Sequence, residues 1–298
     1  MAPFFVLDSF INFLHVEKRY SEHTTIAYKK DLEQFFDFSE ISKVEDLGDV
    51  NHHLVRSWIV ALIDNGIENK SVNRKLSSLR SFYKWLRKEN LTAANPLAKI
   101  RGPKSSKRLP SFVKESELKD ENLNQYFADD FEGIQDRLIL EFFYQTGIRL
   151  NELIQLKDSD IQNDSIKVLG KRNKERLIPV SNDLTSKIIE FKKLKHAQRL
   201  NTLFFFSLKN GNKLYPKYVY RKIHLYLTIA TSIEKRSPHM LRHTFATHML
   251  NNGAGLETLK DILGHANLSA TQIYTHNSFS KLTSIYSQAH PRGSKDKA

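Results

Sequence analysis

The chain has no cysteine among its 298 residues, which excludes disulfide staples, thiolate zinc sites and a cysteine nucleophile together. It also has no apolar run long enough to cross a bilayer, and its apolar start M-A-P-F-F-V-L is cut by Asp8 and carries no basic leader. The expectation is a soluble cytoplasmic protein without membrane insertion. No cluster of acidic residues at metal-binding spacing accompanies the polar motifs further along. Their chemistry is therefore expected to rest on cations and a nucleophile, with no metal and no cofactor.

What the chain has in surplus is positive charge: 46 Lys and Arg against 33 Asp and Glu, a formal net charge of +13. Such a surplus favours a polyanionic partner through counterion release, nucleic acid first and an anionic membrane surface second. A length of 298 residues also exceeds what one core usually organises, so two domains are expected.

Residues 4 to about 97 carry apolar side chains at helical spacing and form the first domain, 1–100. Phe5, Phe10, Phe13 and Leu14 begin one amphipathic segment, and Ile26, Leu32, Phe35 and Phe36 continue another after the N-cap candidate Ser21. Val72, Leu76, Leu79, Phe82, Tyr83 and Leu86 then mark an apolar stripe. Arg74, Lys75, Ser78, Arg80, Ser81 and Lys84 fall on the complementary face. That face reads either as solvated charge or as a helix laid into a DNA groove, with Arg74, Lys75, Ser78 and Ser81 as contacts. Residues 101–112 contain R-G-P-K-S-S-K-R-L-P, an extended basic linker in which Lys104 and Lys107 can cross a phosphate backbone.

The second domain, 113–290, resumes as helix with Leu138, Ile139, Phe142 and Phe143. Gly147 interrupts it just before Arg149, placing that side chain near a helix start, where it can pair with Glu152 or meet a phosphate. I-K-V-L and R-L-I-P-V flank G-K-R-N-K-E as a β-hairpin whose tip is made positive by Lys171, Arg172, Lys174 and Arg176. Helical patterning returns from about 183, through Ile188, Phe191, the run Leu203 to Phe206, and Val219 to Leu227. Tyr218, Arg221 and Lys222 are expected on the solvent side of that last segment. The fold class is thus mainly α with a small β-hairpin (α+β), ending in a disordered tail at 291–298.

The densest information lies between His239 and Tyr274. His239 and Arg242 share one face of a helical turn after Pro238, while Phe245, Met249 and Leu250 anchor the helix. A second helix carries Leu256, Leu259, Ile262 and Leu263, ends at Gly264 as its C-cap and releases His265 into a turn. Ser269 can cap a third segment bearing Tyr274. With Arg149 and Lys171, this reads as a phosphoryl-transfer site built from cations and a tyrosine.

At these residues the chain resembles the tyrosine recombinase (phage integrase) family, and within it the Xer recombinases. The resemblance is carried by T-G-I-R-L-N-E-L around Arg149, G-K-R-N-K-E-R around Lys171, H-M-L-R-H-T-F-A-T-H around His239 and Arg242, L-G-H-A-N around His265, and Tyr274 in Q-I-Y-T-H. S-E-H-T-T-I-A-Y-K-K-D-L and the segment from Ser71 to Lys88 are similar to the family's SAM-like core-binding domain. The resemblance implies a C-shaped clamp enclosing double-stranded DNA. It also implies an enzyme that needs neither metal nor ATP. Arg149 and Arg242 would bind the charge developing on the phosphate and Tyr274 would be the nucleophile, forming a 3′-phosphotyrosyl link. His239 would act as acid and base, Lys171 would protonate the departing 5′-oxygen, and His265 would hydrogen-bond the phosphate. Arg172 stands where the family commonly has Gly, which makes Lys174 a rival for the acid role. Arg172, Lys174, Arg221 and Lys222 are counted as DNA contacts.

At the level of biology, the resemblance implies a nucleoid-associated recombinase resolving chromosome dimers at a dif-like site during segregation and cell division. Its partners would be a second Xer recombinase, in a homo- or hetero-tetramer on DNA, and a septal FtsK-type translocase. An integrase of a mobile element is the alternative, and a DNA-binding protein that has lost catalysis the remote one. The start of the chain, with no arm-binding domain before residue 4, favours the first. The apolar stripe Phe279, Leu282, Ile285 and Tyr286 would pack onto a neighbouring protomer.

Overall fold

The computed structural model describes residues 3–104, 111–170, 175–264 and 276–293, with side chains omitted at 3, 4 and 276–278. The chain divides into two compact units, Met1–Leu109 and Pro110–Ala298.

The first unit is helical, with α1 (Pro3–Val16), α2 (Glu22–Phe38), α3 (Asp46–Asp49), α4 (His52–Asp64) and α5 (Asn69–Lys88). Leu7, Phe10, Leu32, Phe35, Trp58, Leu76, Leu79 and Phe82 form its core. Phe5 and Ile26, expected on the packed stripes, are exposed instead. Asn51 caps α4, its side chain accepting from the amides of His53 and Leu54 at 3.0 and 3.1 Å. Ser21 occupies the cap position of α2, but its hydroxyl meets that of Thr24 and no backbone amide.

Residues 101–104 are not a free tether. Asn73 and Asn69 of α5 donate to the carbonyls of Pro103 and Lys104, each at 2.9 Å, while Arg80 holds the Ile100 carbonyl at 2.9 Å. The backbone groups of this proline-interrupted stretch find no ladder of their own, and asparagine side chains supply the partners.

In the second unit, α6 (Asp120–Leu123), α7 (Phe131–Thr146) and α8 (Leu150–Gln155) precede the antiparallel hairpin of β1 (Ser165–Leu169) and β2 (Glu175–Pro179). α9 (Asn182–Ala197), α10 (Pro216–Ala230), α11 (Pro238–Asn251), α12 (Leu256–Leu263) and α13 (His276–Ala289) follow. α7 and α11 cross the centre, burying Phe142, Phe143, Leu241 and Phe245. Leu203 to Phe206 is extended rather than helical: Phe204 bridges Lys157, and the Phe205 amide donates to the Leu156 carbonyl at 2.8 Å. A short apolar run does not separate helix from strand by its spacing, and here a backbone edge captures it.

The C-terminal helix is packed within its own chain. α13 buries Leu282 and Tyr286 against the core shared with α11, α12 and β2, with Phe279 and Ile285 partly covered. The stripe expected to seek a neighbour is therefore occupied in cis. The order continues past the helix, correcting the expected tail at 291–293. Arg292 reaches both carboxylate oxygens of the fully buried Glu141 at 2.5 Å and Asp120 at 2.9 Å. Burial pushes the His290 imidazole down to about 3.

Candidate active site

The site begins where α7 stops. Gly147 takes a left-handed conformation, φ 59°, and closes the helix by donating to the Phe143 carbonyl at 3.2 Å. A Cβ there would lie 2.6 Å from Phe245 and 2.8 Å from Leu263, so only glycine lets α11 and α12 come this near. Two residues on, Arg149 is the N-cap of α8. Its amide donates to Glu152 Oε2 at 2.8 Å and its Nη1 to Glu152 Oε1 at 2.7 Å. The pairing and the helix start read from the sequence are both present.

α12 ends at Gly264, again left-handed at φ 64°. A helix C-terminus leaves its last carbonyls without partners inside the helix, and here three arginines from different segments take three successive ones. Arg176 Nε donates to Ile262, Arg242 Nη2 to Leu263 and Arg149 Nη2 to Gly264, each at 2.8 Å. Arg242 also donates to the Gly147 carbonyl, stapling the ends of α7 and α12. The negative ends of two helix dipoles thus face one guanidinium. The structure brings Arg149 and Arg242 together, 27% exposed at Arg149, beside the point where the chain leads on to His265 and Tyr274.

Electrostatics gives each group a distinct state. Burial works to raise the Glu152 carboxyl, but hydrogen bonds and charge from Arg176 and Arg149 hold it down to about 2. Burial, with Arg149 and Arg176 as like-charged neighbours, pushes the Arg242 guanidinium down to about 10 against the pull of Glu152. It remains a cation at neutral pH, and a phosphate placed beside it would relieve that repulsion. His239 is exposed in the first turn of α11, whose cap Ser237 accepts from the Met240 amide at 3.3 Å. Lys171, His265 and Tyr274 lie outside the described residues. Among the described residues no group of three or more His, Asp or Glu is placed to hold a metal ion.

Two members of this arrangement were not assigned a site role from the sequence. Arg176 was expected at the positive hairpin tip but is 5% exposed, its Nη1 and Nη2 each 2.8 Å from one oxygen of Glu152. Strand alternation held the signal. Arg176 shares a face with the buried Ile178, and an inward arginine needs an inward acid. That acid is Glu152, read from the sequence only as the Arg149 partner.

Residues 113–281 match the phage integrase family, and residues 7–90 match the phage integrase N-terminal SAM-like domain. The chain belongs to the phage integrase family. It is 37% identical over 295 residues to Tyrosine recombinase XerC of Staphylococcus carnosus, with 98% of this chain and 99% of that one covered. To Tyrosine recombinase XerC of Bacillus licheniformis it is 35% identical over 303 residues, 98% of each chain. Among solved structures it is similar to XerH site-specific recombinase bound to palindromic difH substrate, TM-score 0.70, 23% identity, covering 88% of this chain and 79% of that one. The lambda integrase dimer bound to a COC′ core site gives a TM-score of 0.68 at 18% identity, with 95% of each chain covered. These structural likenesses support the two-part fold, helical with one small sheet.

Several residues counted as DNA contacts have internal partners in this family member. Lys75 and Ser78 are buried, Lys75 lying 3.1 Å and Ser78 2.9 Å from the carboxylate of Asp31, which is itself 2% exposed. Arg74, half exposed, pairs with the same carboxylate. The reason is that α2 packs on this face of α5, and an acid buried there must be paired. Lys222 is likewise no free surface cation: its Nζ is 2.7 Å from Asp136, 1% exposed, which also accepts from Tyr226 at 3.0 Å. Ser81 is half-buried, Lys104 and Arg221 are exposed, and Arg221 donates to the Tyr215 hydroxyl at 3.2 Å. Lys107, Arg172 and Lys174 lie outside the described residues.

Proposed function

We propose that this protein is a site-specific tyrosine recombinase that breaks and rejoins DNA through a 3′-phosphotyrosyl intermediate. One observation carries the reading: Arg149 and Arg242, separated by about half of the second unit, converge on the end of the helix from which the chain runs to Tyr274. Two guanidinium forks at one point suit the extra charge that a phosphodiester gains in its pentacoordinate transition state.

In this mechanism the Tyr274 oxygen attacks phosphorus, the bond to the 5′-oxygen breaks, and a 3′-phosphotyrosine and a free 5′-hydroxyl result. The phenol has an ordinary pKa of about 10, so neighbouring cations and a proton acceptor are needed, and His239 takes that proton. Lys171 supplies a proton to the departing 5′-oxygen and His265 bonds the phosphate. The covalent link keeps the energy of the broken bond, so rejoining by the 5′-hydroxyl of a partner strand requires neither ATP nor a metal ion.

The likeness to the XerC proteins supports chromosome dimer resolution as the biological setting. The protein would act at a dif-like site as a tetramer, partnered by a second Xer recombinase and by an FtsK-type translocase, near the nucleoid. Arg74, Ser81, Lys104, Lys107, Arg172, Lys174 and Arg221 would contact the phosphate backbone of the duplex.

The test is a duplex selected for tight binding from a random-sequence pool and nicked near its centre, so that cleavage traps the protein on DNA. Wild type should give a covalent adduct and Tyr274→Phe none. An adduct that persists in Tyr274→Phe would overturn the assignment.

A further inference from the structure

We propose that Arg176 is a positioning residue for strand cleavage: it shares the charge of Glu152 so that a net positive charge remains beside Arg149 for a phosphate, and it fixes the end of α12. The proposal rests on the recombinase reading above and deepens it. Arg176 projects from β2 into the core, 5% exposed. All three of its nitrogens are engaged, two with the oxygens of Glu152 and Nε with the Ile262 carbonyl, each at 2.8 Å.

Glu152 is a hub with four donors, because the Arg149 amide and Nη1 bind the same two oxygens. Without Arg176, Glu152 and Arg149 would form a one-to-one pair, and the carboxylate would cancel the charge that Arg149 offers a phosphate. With it, two guanidinium groups share one carboxylate and a net positive charge remains. A buried ion pair is a poor route to stability, since apolar residues of similar volume often do as well or better. The placement therefore asks for a role beyond packing, and the neighbouring arginines supply one.

Backbone geometry supports the second half of the proposal. A Cβ on Gly264 would stand 3.0 Å from Arg176 Cδ, 3.1 Å from Nη1 and 3.2 Å from Nε. The left-handed cap and the guanidinium are therefore fitted to each other, and the segment leading to Tyr274 leaves from that cap. A lysine cannot reproduce the fork.

The experiment measures adduct formation in a single turnover on the nicked duplex described above, together with DNA affinity and thermal unfolding. It compares wild type, Arg176→Lys, Arg176→Met, Glu152→Gln and the Arg176→Met/Glu152→Gln double variant. Arg176→Met should slow adduct formation about 100-fold and Arg176→Lys about tenfold, with affinity changed less than about threefold. On the Glu152→Gln background, Arg176→Met should cost only about tenfold, because the charge it shares is already gone and only its hold on the Ile262 carbonyl is lost. Equal fractional losses on both backgrounds, or losses that follow affinity or unfolding temperature, would overturn the role. If Arg176→Met does not fold, Arg176→Lys decides, and wild-type cleavage by it sinks the proposal. A wild type that forms no adduct on any selected duplex removes the recombinase reading itself, an outcome distinct from cleavage that is indifferent to Arg176.

Discussion

Asp31 in the first unit and Glu152 in the second are both almost excluded from solvent, and both gather cations, yet they do different things with them. The cations of Asp31, Arg74 and Lys75, are neighbours on α5, and with Ser78 they form a set that seats α2 on that helix. Those of Glu152 come from separate segments, Arg149 from the turn before α8 and Arg176 from β2. Beyond them Arg242, among the described residues, donates to backbone carbonyls alone. A carboxylate served by one helix registers a packing interface. One served by several segments gathers charge at a point, and a point of unbalanced charge is what a phosphate can use.

The sharpest way to break this contrast is to remove a charge from each region. Arg242→Ala and Arg149→Ala should each lower the cleavage rate roughly 100- to 10,000-fold while leaving DNA affinity largely intact. Asp31→Asn should leave the cleavage rate per folded molecule within about threefold of wild type. Comparable losses at both hubs would erase the distinction.

A smaller effect tests the packing role directly. Asp31→Ala leaves buried Lys75 without its carboxylate and should destabilise the first unit by about 3 kcal/mol. Both tryptophans, Trp58 and Trp85, belong to that unit, so denaturant unfolding followed by tryptophan fluorescence reads it alone. An unshifted fluorescence midpoint would show that Asp31 does not hold α2 on α5.

The smallest expected effect separates the units by acid. His290 is depressed from 6.5 to about 3, so the unfolded chain takes up its proton first, and stability is lost as pH falls from 6.5 toward 3. Glu152, depressed from 4.5 to about 2, adds a loss between those values as its carboxylate is protonated. Among the described residues the first unit has no buried histidine. The second unit should therefore lose about 2 kcal/mol between roughly pH 6.5 and 5, visible as a fall in circular dichroism stability before the tryptophan signal shifts. Coincident acid transitions would contradict it.

Much of this was legible beforehand. Gly147 and Gly264 announce helix ends, the alternation of I-K-V-L and R-L-I-P-V gives the hairpin, and apolar spacing places the core of α5 and, in α11, Phe245 and Met249 but not Leu250, which is exposed. Arg149 beside Glu152 could be read because three residues span one helical turn. Lys75, Ser78, Lys222 and Arg176 could not, since whether a polar side chain faces water or a buried acid depends on which distant segment covers it. Asp31, Asp136 and Glu152 each lie far away in sequence. Arg292 was hidden for the same reason: P-R-G-S-K-D-K-A reads as tail until Glu141, about 150 positions earlier, claims its guanidinium.

Arg242 is held by carbonyl dipoles at two helix ends rather than by a carboxylate, and this has a consequence for how the protein answers to ionic strength. Mobile ions screen exposed charges over a Debye length of about 8 Å at physiological salt, but they reach a buried array of N–H and C=O groups poorly. Raising salt should therefore strip the protein from DNA while the Arg242 guanidinium keeps its place. A molecule released in this way would keep that guanidinium on its two helix ends through the change of salt.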